Sequence, residues 1–67
     1  MNVQIAQSMN NATNDQERYA ILAGFARGNA ELRARGAAEE LVDALYFAGA
    51  AFNRWKAIAT VREAAAV

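Results

Sequence analysis

Between residues 13 and 35 the apolar positions recur three and four apart. Leu22, Phe25 and Leu32 form one row with Asn29 inside it, and Tyr19 and Ile21 flank it. That spacing predicts an α-helix. Its start is marked twice, because Thr13 with Gln16 and Asn14 with Glu17 both fit a capping box. Asp15 and Glu17 sit in the first turn, where the helix dipole favours acids. Arg33 and Arg35 suit the last turn, and Gly36 suits the C′ position. The first helix is thus expected from Thr13 or Asn14 to about Arg35. A second opens at "AAEE" and runs from Ala37 to about Glu63. The one or two residues between them predict a tight antiparallel αα-hairpin or a sharp corner.

The second helix is apolar on several sides. Leu41, Leu45, Ala48, Phe52, Trp55 and Ala59 make one seam. Val42, Tyr46 and Gly49 make another, and Phe47, Ala51 and Ile58 a third. One hairpin partner covers one stripe. The remaining sides call for a second copy or another protein, most simply a C2 homodimer forming a small helical bundle. Ala20, Gly24 and Gly28 add a row of small residues at spacing four. Glycine inside a helix costs roughly 1 kcal/mol relative to alanine, so the row is read as a close helix crossing, with a local kink as the alternative. Gly49, among alanines, is a second crossing point. Asn29 is either a buried heptad position that selects a partner and register or a solvated edge. Residues 1–12 are uncharged and rich in Asn and Gln. Ile5 and Met9 fit one helix face, while Val3 and Ile5 alternate as in a strand. The segment is expected as a mobile or accessory arm on a hairpin domain spanning 13–67.

Size sharpens this picture. A chain of 67 residues is one domain at most, and domains this small bury only about 60% of their unfolded surface. With no Cys and no His, disulfides and a structural zinc site are excluded, and association is the stabiliser that remains. Net charge is zero; there is no long-range field to steer the chain to nucleic acid or an anionic membrane. The longest uncharged apolar run, Ala44 to Phe52, is far short of the ~20 residues that span a bilayer. The N-terminus lacks the features of a signal peptide, so a cytoplasmic location is expected.

Chemistry is sparse. Ser8, Thr13 and Thr60 have no evident base, and no phosphate loop is present. No enzyme, cofactor or metal is expected. Glu39, Glu40 and Asp43 share a helix flank, and "AEELVDALYF" resembles one motif of the all-α NTP pyrophosphohydrolases, the MazG-like family, over about ten residues. That resemblance implies a Glu-x-x-Asp pair, Glu40 and Asp43, holding magnesium. The preceding helix, which in that family carries a Glu-rich motif, offers only Glu17 and Glu31.

A short strand followed by two helices in a dimer resembles the ribbon-helix-helix repressors. That resemblance implies DNA reading by Asn2 and Gln4, with Val3 and Ile5 facing the core. Against it, the strand lacks Arg and Lys, and Glu39 and Glu40 sit at a helix start where phosphate would dock.

"FNRWKA" has the composition of a protein-interface hot spot. Tyr46, Phe47, Arg54, Trp55 and Lys56 are the candidate partner-binding residues, with Trp55 as core the competing reading. Gly24, Phe25, Gly28, Asn29, Leu41, Leu45, Gly49 and Phe52 are the candidate dimer and helix-packing residues. The expected function is stoichiometric binding of another protein by a small regulator or inhibitor. Very small helical proteins of this type are common among phage and mobile-element products. A DNA-binding repressor is the alternative and a magnesium-dependent hydrolase a remote one.

Overall fold

A computed structural model of the chain describes residues 2–66. They form an all-α fold of four helices: α1 (Asn2–Asn11), α2 (Asp15–Arg27), α3 (Ala37–Phe47) and α4 (Arg54–Ala65), with a 3-10 turn at Ala30–Arg33. The expected hairpin of two long helices is therefore corrected, since each of the two is broken once.

The start of α2 is as the sequence indicates. Asn14 caps it, its side chain accepting from the Glu17 N–H at 2.8 Å. Glu17 reaches back to Thr13, accepting from its hydroxyl at 2.9 Å. The helix stops at Gly28. Glycine loses most entropy in a helix, and the next residue, Asn29, competes for backbone hydrogen bonds. Asn29 then heads the 3-10 turn. Gly36, at φ 81°, turns the chain into α3 as its N-cap.

The second break is a Schellman motif. The Gly49 N–H donates to Tyr46 O and the Ala50 N–H to Leu45 O, each at 3.0 Å. Gly49 supplies the left-handed residue at φ 100°, and Ala50 turns inward and is buried. After the loop, Asn53 caps α4, accepting from the Lys56 N–H at 3.0 Å.

Both breaks let one chain wrap its own core. Met9, Leu22, Val42, Leu45 and Val61, from all four helices, are fully buried, and Phe25, Leu32 and Phe52 pack against them partly buried. The most extensive helix contact is α2 on α4, while α1 lies against α2 and α3. The radius of gyration, 10.5 Å, matches the roughly 11 Å of a compact domain of this length. Leu41, Val42 and Leu45 are thus covered within the chain, and a second copy is not needed to hide them.

Residues 2–11, read from the sequence as part of an arm, form α1 and place Ala6 and Met9 in the core. Among the described residues there is no strand, so the DNA-reading ribbon has no counterpart. Gln4 lies on α1, and the side chains of Asn2 and Val3 lie outside what the structure describes. No helix among these residues is long and apolar enough to cross a membrane.

Candidate functional site

Among the described residues, Tyr46, Phe47 and Trp55 are the large apolar side chains left exposed, at 65%, 84% and 77%. They come from two adjoining elements. Tyr46 and Phe47 end α3, and Trp55 sits in the first turn of α4. The two aromatic rings of α3 meet edge to face, 5.7 Å between centroids.

Asp43 joins the two elements. It is three and four residues before Tyr46 and Phe47, so it shares their flank of α3. From there it grips Arg54 on α4 through two contacts, Nε to Oδ1 at 2.9 Å and Nη2 to Oδ2 at 3.4 Å. Arg54 in turn lies over the Trp55 ring at 5.9 Å, in cation–π range. The Arg54 guanidinium beside Asp43, chiefly by hydrogen bonding, holds the carboxyl below its ordinary value. Asp43 likewise raises Arg54. This pairing also explains how a basic first turn is accommodated in α4, where the dipole disfavours cations.

The loop between Phe47 and Arg54 is tied from the opposite side. Asn10, on α1, donates to Gly49 O at 2.9 Å and accepts from the Ala51 N–H at 3.2 Å. Tyr19, buried on α2, accepts from the Asn53 N–H at 2.9 Å through its hydroxyl. Lys56 turns toward the same tyrosine, its Nζ 4.6 Å from the ring centroid. The aromatic side chains therefore stand on a frame held by all four helices. Such preorganisation reduces the ordering cost of binding.

The structure brings Tyr46, Phe47, Arg54 and Trp55 to one end of the α3–α4 pair and directs Lys56 toward α2. The residues expected at helix crossings divide. Leu41 and Leu45 are buried, Phe25 and Phe52 partly so, and Asn29 is half-buried at the 3-10 turn. Gly24, Gly28 and Gly49 have open space where a Cβ would lie, so among the described residues the close backbone approach read from the glycines is not made. Sequence reasoning missed Asn10, Tyr19 and Asn53 as the residues that hold the loop. A residue such as Asn10 carries no local signal of a partner so far along the chain.

The carboxylates of the magnesium motif are otherwise engaged. Glu39 pairs with Arg62 on α4 and Asp43 with Arg54, while Glu40 lines a separate groove with Glu31. Among the described residues no group of three acids gathers to hold a metal ion. Comparison with protein-family models, with curated proteins and with solved structures finds no match to this chain.

Proposed function

We propose that this protein is a small non-enzymatic regulator or inhibitor that binds another protein in fixed stoichiometry through the patch of Tyr46, Phe47, Trp55 and Arg54. The carrying observation is the exposure of three large aromatic side chains, while the other large apolar groups whose side chains the structure describes are buried wholly or in part. At about 200 Å² per ring, three rings exposed to this degree offer roughly 450 Å². That is over half of the ~800 Å² each partner contributes to a standard interface. Exposed aromatics beside an arginine are the composition from which hot spots are made.

The second copy expected from the sequence competes for the same patch. Light scattering over a concentration series separates the two occupants. A mass of 7.2 kDa throughout leaves the patch to a different protein. A dimer that reverts to monomer on Trp55→Ala would place a second copy there and replace this reading. Affinity capture from the source cells then tests the partner. One protein should be retained at a constant ratio by the native chain and lost with folded Trp55→Ala or Phe47→Ser. Equal retention by both variants would remove the patch from the function.

A further inference from the structure

The aromatic patch does not end at Phe47. Along α3, Glu40, Ala44 and Phe47 follow one another four and three residues apart, so they form one row on the helix surface. Beside this row a groove of about 310 Å³ lies between α3 and the 3-10 turn. Leu32, Ala37, Leu41 and Ala44 give it apolar walls, and Glu31 and Glu40 supply carboxylates. Among the described residues no basic side chain lines it. Phe47 and Glu40 are both exposed and stand roughly 10 Å apart along the axis, at 1.5 Å per residue.

The two carboxylates of the groove are uncommitted. Glu31 and Glu40 are exposed, and among the described residues no ion pair or side-chain hydrogen bond engages either. The other acids of α3 are paired, Glu39 with Arg62 and Asp43 with Arg54. A strip that is aromatic at one end and acidic at the other complements a segment with an apolar anchor and a base set apart from it. Among the described residues there is no sheet edge to take an extended segment by strand addition. A helix brings its own backbone hydrogen bonds and lays an apolar face into a groove of this kind.

We propose that the partner docks a basic amphipathic helix along this strip of α3. The inference rests on the reading of the aromatic patch as a protein-binding surface and adds the chemistry of what binds there. Apolar side chains of the incoming helix cover Phe47 and Ala44. A Lys or Arg about seven residues away, two helical turns and the same roughly 10 Å, meets Glu40 and Glu31. A second copy of this chain matches less well. Of the basic residues on its helices, Arg18, Arg54 and Arg62 are already paired within the chain. Lys56 lies over Tyr19, and Arg27 lines a groove together with Glu63.

The test is a selection. A displayed library of helical peptides about four turns long, randomised on one face, is panned against the whole chain, and the affinities of the enriched peptides are measured by fluorescence anisotropy. Enriched sequences should carry Lys or Arg about seven residues from a Leu, Phe or Trp anchor. Glu31→Gln and Glu40→Gln should each weaken binding about two- to fivefold, as an exposed ion pair implies, and added salt should weaken it for the native chain. Glu63→Gln, in the groove between α2 and α4, should leave affinity unchanged. Glu40→Lys should shift the preference to a peptide with Glu in place of its base. Enriched peptides that are neutral or acidic would overturn the inference. Peptides lost with Phe47→Ser but indifferent to Glu31→Gln and Glu40→Gln would overturn it while leaving the aromatic patch as the binding surface. Peptides indifferent to both Phe47→Ser and Trp55→Ala would remove the patch itself. A dimer of the native chain that weakens with Glu40→Gln would put a second copy in the groove and overturn the basic helix as its occupant.

Discussion

Asp43 and Arg54 stand eleven residues apart in the chain and meet face to face across the α3–α4 loop, at 2.9 and 3.4 Å. With the Glu39–Arg62 pair they form two rungs in antiparallel register. As α3 advances from 39 to 43, α4 runs back from 62 to 54. One rung borders the aromatic patch and the other joins the start of α3 to the end of α4, so the two pairs fix these helices along their shared length.

The Asp43 rung makes the patch sensitive to acid. Its carboxyl lies below the ordinary value of 3.8 because Arg54 donates to it. A depressed folded value stabilises the native state above the unfolded value. That contribution starts to fall near pH 3.8 and is gone once pH drops through the folded value. Both side chains are about half exposed, so the global effect is small and the local one is the better readout. Trp55 is the chain's single tryptophan and lies under Arg54. Its fluorescence should hold steady from about pH 5 to 8 and change with a midpoint below 3.8. Asp43→Asn should abolish that step; a midpoint above about pH 4 would contradict the pairing.

Exposure and burial predict opposite outcomes for residues of one short stretch. Phe47→Ser and Trp55→Ala remove side chains that are mostly in water. Each should change stability by no more than about 0.5 kcal/mol while removing partner binding. Leu45, two residues before Phe47, is fully buried. Leu45→Ala should cost about 2–5 kcal/mol, a large share of the roughly 3–10 kcal/mol available to a chain this short. Urea unfolding of the three variants side by side measures the contrast.

The helical class, the Asn14 start and the corner at Gly36 were legible because their signals are local: a cap, a first-turn acid pair and a glycine. The two breaks were not. "AGAAF" reads as helix because alanine is the best helix former. Gly49 becomes a terminator there through the Schellman bonds and the burial of Ala50, and burial depends on the whole fold. Asn53 was a cap in plain sight, but Arg54 and Lys56 after it oppose the dipole pattern by which helix starts are recognised. The compensating Asp43 sits on the preceding helix. Missing these breaks turned one compact four-helix chain into a hairpin in search of a second copy. The excess of apolar surface was real in kind but smaller in extent, reduced among the described residues to Tyr46, Phe47 and Trp55.

Asn10 tests whether the frame matters to the patch. Its side chain makes two hydrogen bonds to the α3–α4 loop, at Gly49 O and at the Ala51 N–H. Asn10→Ala should cost about 1–2 kcal/mol at roughly 1 kcal/mol per bond. Hydrogen exchange at Ala51 should accelerate about tenfold, as roughly 1.4 kcal/mol of lost protection implies. Partner affinity should fall as well, although Asn10 is outside the patch, because the loop ordering it supplied must then be met on binding. Unchanged exchange at Ala51 would show that the loop holds itself.

The glycines separate a helix crossing from a helix end. Gly24 is inside α2, and nothing lies within 4 Å of the place its Cβ would take, so Gly24→Ala trades backbone freedom for helix propensity without a clash. It should stabilise the chain by about 0.8–1 kcal/mol, raising Tm by roughly 4–8 °C for a domain of this size. Gly49 also has open space, but its φ of 100° is one that alanine resists. Gly49→Ala should destabilise by about 1 kcal/mol or more, with the loss appearing at the end of α3. Equal effects at both positions would deny the Schellman turn. If Gly24→Ala raised Tm but abolished partner binding, the partner would be approaching the α2 backbone closely, and the small-residue row would serve an interface between chains that the fold leaves open.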